Sequence, residues 1–182
     1  MSGTWQVFAA RSEVQPDRLR RLETWLYGKG RFAVLIDFVP VATGAAMGGF
    51  AAGDQFDAEV VYYPSSAPLR AVLATQTAGT TAGGALDLPD QDLDAALAGY
   101  EDALALKPWL GDYPLAFKGA RLRRSGDRFY ICGDGVVLPV NATQAADVWP
   151  LLRLASVDGI GLWDGRAFTV CWAETEMGRW LA

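Results

Sequence analysis

Apolar and polar residues alternate along many short segments of this chain, and the alternation predicts β-strands in both halves. The predicted strands lie at 5–10, 31–38, 57–63, 69–74, 115–123, 128–132, 136–140, 159–163 and 167–173. Turns rich in glycine, proline, serine and aspartate separate them, which is typical of hairpins and meanders. Residues 19–27 fit both a helix and a strand, so the pattern predicts a hairpin strand preceded by a short helical turn.

One segment, from Asp90 to Lys107, has the spacing of an amphipathic helix. Its apolar residues recur at intervals of three and four, with acidic residues early and a lysine at the end. This pattern predicts a helix that is capped by Asp90 and ended by Pro108. A second, shorter helix is predicted from Thr143, which would be its cap.

The order of these elements predicts the fold class. No strand-helix alternation of the kind that builds a doubly wound sheet is visible, so we expect an α+β fold, mostly antiparallel β-sheet with one amphipathic helix. A stretch rich in Gly, Ala and Thr at 77–89 predicts a linker between an N-terminal β-rich subdomain (1–76) and a C-terminal subdomain of helix plus β-meander (90–182). A similar stretch at 43–53 is interpreted as a loop, and no internal repeat is visible.

The composition indicates a folded, acidic protein. Of the 182 residues, 51% are hydrophobic and seven are tryptophan, which argues against global disorder. The formal net charge of −5 argues against a chain built chiefly to hold polyanions, but it leaves local basic faces open. The N-terminus lacks secretion features, no apolar run reaches bilayer length, and both cysteines lie in strand-like runs. We therefore expect a cytoplasmic protein with no membrane contact.

The chain contains no histidine. Histidine is the usual proton carrier near neutral pH and the commonest transition-metal ligand, so its absence removes several classes of site. Ser-His-Asp and Cys-His nucleophile systems and histidine-bearing zinc sites are excluded within this chain. An enzyme would have to use carboxylates, Lys, Tyr, Ser or Thr, and we expect no catalytic residues and no cofactor.

Acidic residues cluster at the start of the predicted helix. The cluster comprises Asp87, Asp90, Asp92 and Asp94, with Glu101 seven residues further on. Counted from Asp90, the carboxylates of Asp90, Asp92, Asp94 and Glu101 have the ligand spacing of a calcium-binding EF-hand loop. The sixth residue on this count is Ala95, where that loop requires glycine. The preferred interpretation is an acidic first helical turn that complements the helix dipole.

Two stretches, at 44–49 and 79–84, have the high glycine content of phosphate-binding loops. Neither is followed by the Gly-Lys-Ser/Thr sequence that such a loop uses, and the Gly28-Lys29-Gly30 turn leads into a strand instead of a helix. We interpret all three as ordinary loops and turns.

Five basic residues gather on one predicted hairpin: Lys118, Arg121, Arg123, Arg124 and Arg128. Strand alternation places Arg121 and Arg123 on one face, with Lys118 off that face. Such a stripe is suited to contact the phosphates of a nucleic acid. The alternative is a solvated outer sheet face whose charges protect a strand edge from aggregation.

Carboxylate-only catalysis needs two acids that face each other across a cleft. The candidates are Asp37, Asp57, Glu59, Glu174 and Glu176, and the sequence does not bring any two of them together. Trp25, Trp163 and Trp172 occupy strand positions, where we expect core packing in preference to sugar binding.

Four segments, at 35–38, 58–71, 149–152 and 163–165, carry a family resemblance. The motifs in these segments are Asp-Phe at the end of one strand, Tyr-Pro-Ser and Pro-Leu-Arg after the next, and the later Trp-Pro-Leu-Leu and Trp-Asp-Gly. Together they resemble the region downstream of the zinc finger in bacterial SWIM zinc finger proteins. The resemblance implies an accessory region of a cytoplasmic protein and no catalytic residues. The Cys-x-Cys and Cys-x-His pairs of the finger are absent, so zinc binding is not carried over.

Three functions follow from these observations, in order of preference. The first is a non-enzymatic protein-interaction or scaffold domain whose partner is another protein. The second is a nucleic-acid-binding accessory domain that uses the hairpin of Lys118, Arg121, Arg123 and Arg124. The third is a carboxylate-based hydrolase, which requires two carboxylates within mutual reach in a deep pocket.

Overall fold

The computed structural model describes residues 1–41, 49–76, 79–133 and 135–182. The chain divides into two compact units, Met1–Leu86 and Asp87–Ala182. The described residues are mostly β-strand, in two mainly antiparallel sheets, with little helix. The predicted class, α+β with mostly antiparallel sheet, is confirmed. Most of the loop predicted at 43–53 lies outside the described residues.

The first unit is a closed barrel. Its strands are β1 (Ser2–Val14), β2 (Leu19–Gly28), β3 (Arg31–Pro40), β4 (Asp54–Tyr62), β5 (Arg70–Gln76) and the short β6 (Thr81–Ala82). They pair in the order β1-β2-β3-β5-β4-β6, and β1 also pairs with β4, so the first five strands close into a ring. The β3–β5 pairing is parallel and the others are antiparallel. Closure gives each of the five main strands a neighbour on both sides, with the shortest ladder, Val34–Leu35 against Arg70–Ala71, between β3 and β5.

The length and bend of β1 make this closure possible. Residues Ser2–Gln6 pair with β4, and the strand continues from Gln6 to Val14 along β2. The register shifts between Val7 and Ala9, and such irregularities bend a strand and increase its twist. The inward-facing residues are apolar and include Trp5, Val7, Leu26, Phe56 and Val60.

The prediction of a short helical turn within residues 19–27 is wrong. This segment is strand throughout, because β2 lies between β1 and β3 and pairs with both of them along its length. Pairing on two sides outweighs the local helical spacing. The predicted hairpin itself is confirmed, and its turn uses Lys29 and Gly30, both with positive φ, as a tight hairpin turn requires.

Residues 81–84, in the middle of the segment predicted as a linker (77–89), pack against the first barrel. Thr81–Ala82 pairs with the start of β4, and the Gln6 side-chain amide donates a hydrogen bond to the Gly84 carbonyl at 2.7 Å. Gly83 donates its N–H to the Gly53 carbonyl. These contacts anchor residues 81–84 to the first unit.

The second unit has two α-helices and six strands among its described residues, together with short 3-10 helices at Ala142–Gln144 and Trp149–Arg153. They are α1 (Leu93–Leu106), β7 (Tyr113–Ser125), β8 (Arg128–Cys132), β9 (Val137–Pro139), α2 (Ala145–Val148), β10 (Val157–Trp163), β11 (Phe168–Thr175) and β12 (Gly178–Leu181). The strand order is β12-β11-β10-β7-β8-β9. The predicted meander and the C-terminal hairpin are confirmed, and Gly178–Leu181, where no strand was predicted, forms the additional strand β12.

The strand order of the first unit is repeated in the second. The first part of β7 pairs with β10 and its last part pairs with β8. Val140, directly after β9, forms a parallel bridge with Phe168 of β11. The order β7-β8-β9-β11-β10, in which this single bridge links the end of β9 to β11, therefore has the connectivity of β1-β2-β3-β5-β4. The repetition lies in the topology and is not visible in the sequence.

Two helix caps differ from the sequence prediction. Asp92, not Asp90, caps α1, since its Oδ1 accepts a hydrogen bond from the Ala95 N–H at 2.8 Å. The Gln91 carbonyl before it is occupied by the Lys118 N–H of β7, which delays the start of the helix. Asn141, not Thr143, caps the short 3-10 turn before α2. No helix in the described part of the chain has the length and apolar character needed to cross a bilayer.

Candidate functional site

The strongest candidate surface is one face of the β7–β8 hairpin. A two-residue turn fixes its register, so that Ser125 lies opposite Arg128 and Arg123 opposite Tyr130. Directly opposed residues in an antiparallel pair share a face, and residues two apart along a strand do also. Arg121, Arg123, Arg128 and Tyr130 therefore lie together, and we call these four residues the arginine face.

The arginine face is exposed to solvent because the neighbouring residues on β7 and β8 pack on the opposite side of the hairpin, in the core. Leu122 and Ile131 lie opposite each other and are 3% and 0% exposed in the core of the second unit. The three arginines are exposed and Tyr130 is half-buried. Pro139 of β9 lies opposite Tyr130 on its other side, so the tyrosine occupies the middle of a three-stranded surface.

The three arginines of this face are not engaged within the described part of the chain. The side chains of Arg121, Arg123 and Arg128 form no ion pair and no hydrogen bond with any described residue. Their guanidinium groups are therefore available to an external anion, and each presents donors arranged for two-point contact with a phosphate or carboxylate.

The other two predicted basic residues do not belong to the arginine face. Arg124 points to the opposite face, where its Nε donates to the Gly126 carbonyl at 2.7 Å and its guanidinium lies 3.6 Å from an Asp127 carboxylate oxygen. Lys118 lies 3.5 Å from Asp90. Of the five basic residues named from the sequence, Arg121, Arg123 and Arg128 lie on the arginine face, and Lys118 and Arg124 lie off it.

The arginine face is a small basic surface on a unit whose net charge is negative. Residues 87–182 contain nine Lys or Arg and fourteen Asp or Glu, and five of the nine lie between 118 and 128. Charges in solvent are screened beyond about 8 Å at physiological ionic strength. The potential at the arginine face is therefore set by its own arginines and only weakly by distant acids.

Cys132 lies opposite Arg121 on the same surface. Partial burial raises the pKa of the Cys132 thiol, and the positive charge of Arg123 lowers it. The raised pKa keeps the thiol protonated at neutral pH.

Replacing Arg123 with alanine is expected to raise the pKa of the Cys132 thiol further, because a stabilising positive charge is removed from the thiolate. The measurement is the rate of iodoacetamide alkylation as a function of pH, with mass spectrometry to assign the site. The midpoint of the profile should move to higher pH in Arg123→Ala. It should not move in Arg124→Ala, whose side chain lies on the opposite face; a downward shift in Arg123→Ala would contradict the geometry.

The acidic cluster at the start of α1 has structural contacts. Asp92 caps the helix, Asp94 lies in its first turn, and Asp90 pairs with Lys118. Within the described ranges, no three His, Cys, Asp or Glu side chains are grouped to hold a metal ion. The acidic helix start, the interpretation preferred from the sequence, agrees with these contacts.

Of the carboxylates considered for catalysis, only Asp57 and Glu59 share a strand face, and the others lie on different elements. Asp57 and Glu59 lie on the outer face of β4, where Asp57 accepts a hydrogen bond from the Thr4 hydroxyl. Glu174 accepts a hydrogen bond from the indole N–H of Trp172 at 2.8 Å, and Glu176 lies in an exposed turn. Asp37 borders a pocket in the first unit.

The three tryptophans considered for sugar binding are core residues. Trp25, Trp163 and Trp172 are 3%, 8% and 0% exposed. The prediction that they pack in the interior is confirmed, and none of them presents a free ring face to a ligand.

Comparison of the chain with protein-family models, curated proteins and solved structures gives no match. The resemblance to the region beside the finger of SWIM zinc finger proteins therefore stays a prediction.

Proposed function

We propose that this chain is a non-enzymatic binding module whose arginine face contacts single-stranded nucleic acid. The observation that carries the proposal is the grouping of three unengaged arginines around a half-buried tyrosine on one exposed sheet surface. Arginine contacts phosphate oxygens through paired N–H donors. A tyrosine ring on a sheet provides a platform on which an unpaired base stacks.

Single-stranded nucleic acid fits this surface better than a duplex. Residues two apart along a strand are about 7 Å apart, so Arg121 and Arg123 form a short row beside the Tyr130 ring. A base can stack on that ring only when it is free of its own neighbours, which a duplex does not allow without unstacking.

A protein partner, the first preference from the sequence, is the alternative for the same surface. An acidic peptide would pair with the arginines, but it would not need the tyrosine ring. The arrangement of charge around an aromatic platform favours nucleic acid over an acidic peptide. The non-enzymatic character expected from the sequence is part of this proposal.

The proposal is compatible with what the SWIM resemblance implies, an accessory region of a cytoplasmic protein without catalytic residues. We include in it a cytoplasmic location and two β-rich subdomains. The repeated strand order supports the subdomain assignment, because each ring of strands has its own apolar core.

Fluorescence anisotropy with a labelled dT oligonucleotide tests the proposal through its salt dependence. Each phosphate contact in a single strand contributes about 0.7 to the slope of log K against log salt, so three arginines predict a slope of roughly −2. Binding should be weaker for a duplex of equal length and for polyglutamate. Absence of binding at low salt, or equal binding of polyglutamate, would contradict the proposal.

In the same assay, Tyr130→Ala should weaken binding at every salt concentration and leave the slope unchanged. The physical reason is that stacking on an aromatic ring contributes about 1–3 kcal/mol per base and releases no counterions. Tyr130→Phe, which keeps the ring, is the matched control and should bind as the unmodified chain does.

A further inference from the structure

A pocket of about 220 Å³ opens at one end of the first barrel. Several residues that line it are on the inward-facing side of their strands. Thr24 and Leu22 are two and four residues from the core residue Leu26 on β2, and Asp37 is two residues from the core residue Leu35 on β3. Leu22 lies opposite Asp37 in the register. The pocket is thus the mouth of the barrel, where the interior changes from apolar to mixed character.

The lining combines an apolar wall with a few polar groups. Leu22 and Phe50 form the apolar part, and the Phe50 ring is stacked on Phe56 with centroids 4.4 Å apart. Ser12 and Thr24 add hydroxyl groups. Pockets that bind small molecules typically have this composition, and barrel mouths are among their preferred places.

Three charged residues border the pocket, namely Asp37, Glu23 and Arg11, and of these strand alternation directs the Asp37 side chain inward. Within the described part of the chain, the Asp37 carboxylate forms no ion pair and no hydrogen bond. Glu23 also borders the pocket, but strand alternation directs its side chain to the other face of β2, where it pairs with Arg21 and accepts from the Trp25 indole. Arg11 also borders the pocket and lies opposite Glu23, so strand alternation directs its side chain to that other face as well.

We propose that this pocket binds a small organic cation, an ammonium group carried on an apolar or aromatic body. The ammonium group pairs with the Asp37 carboxylate and donates to the hydroxyls of Ser12 and Thr24. The body packs against Leu22 and Phe50. A cavity of about 150 Å³ holds benzene, so a volume near 220 Å³ accommodates a ligand of about ten non-hydrogen atoms.

This site lies in the first unit and does not depend on the arginine face. Its probe is 2-phenylethylammonium chloride, titrated into the full chain and followed by amide chemical shifts. A ligand of this size is expected to bind with a Kd on the order of 1 mM, with shifts at residues 10–12, 22–24, 37 and 50. The neutral 2-phenylethanol and the anionic 3-phenylpropanoate should bind about tenfold more weakly or not at all.

Asp37→Asn is the deciding variant, because it keeps the shape of the exposed side chain and removes its charge. It should weaken binding of the cation about tenfold, while the matched control Glu59→Gln, on the outer face of β4, should bind as the unmodified chain does. The inference is overturned if the cation gives no saturable shifts, if Asp37→Asn binds as tightly as the unmodified chain, or if the shifts lie outside the barrel mouth. Asp37→Asn should bind the dT oligonucleotide as the unmodified chain does, so failure of the cation site can be distinguished from failure of nucleic-acid binding at the arginine face.

Discussion

Replacing Arg121, Arg123 and Arg128 together with alanine is expected to lower the affinity for a dT oligonucleotide by about two orders of magnitude. An exposed charge pair contributes up to about 1 kcal/mol, and three such contacts amount to roughly a hundredfold in affinity. The slope of log K against log salt should also approach zero, because the contacts that release counterions are gone. Anisotropy titrations between low and physiological salt measure both quantities.

A second triple variant controls for the change in net charge. Arg124, Arg153 and Arg166 lie off the arginine face, and replacing all three removes the same three positive charges from the second unit. If the face is responsible, this control should lose only a small part of the affinity. Equal losses in both triple variants would mean that overall charge, and not the arginine face, determines binding.

Gln144→Leu is expected to destabilise the second unit strongly. Gln144 is 8% exposed, and its side-chain amide makes two hydrogen bonds with the Val170 backbone: Nε2 donates to the carbonyl at 2.8 Å and Oε1 accepts from the N–H at 2.9 Å. Leucine would leave both backbone groups buried without partners, at about 1–3 kcal/mol each. Urea unfolding followed by tryptophan fluorescence should show a lower midpoint.

Gln91→Leu provides a graded control for that experiment. The Gln91 side chain is half-buried and makes a single hydrogen bond, from Nε2 to the Ala116 carbonyl at 2.8 Å. Its loss should cost about 1 kcal/mol. If Gln144→Leu costs no more than Gln91→Leu, then the paired hydrogen bonds to β11 are not important for closing the second ring of strands.

Local patterns predicted most of the strands and the long helix, but not the closure of the two rings. Hairpin turns such as Gly28–Gly30 fix the register between sequence neighbours, so these pairs follow from the sequence. Pairing of β1 with β4, and of Val140 with Phe168, joins residues far apart in the chain. No local signal encodes such pairs, and for this reason the repeated topology was not predicted.

The arginine face was predictable in part. Alternation places Arg121 and Arg123 together, and the structure agrees. Arg128 and Tyr130 could have been added from the two-residue turn, since that turn sets Ser125 opposite Arg128. The engagement of Arg124 and the pocket beside Asp37 depend on three-dimensional packing and have no counterpart in the sequence pattern.

Amide chemical-shift mapping during titration with an unlabelled dT oligonucleotide tests the central proposal most directly, because it locates the contact surface on the unmodified chain. The account predicts saturable shifts concentrated at Arg121, Arg123, Arg128 and Tyr130, which disappear as salt is raised. Saturable shifts that avoid the β7–β8 hairpin, or no shifts at low salt, would contradict it.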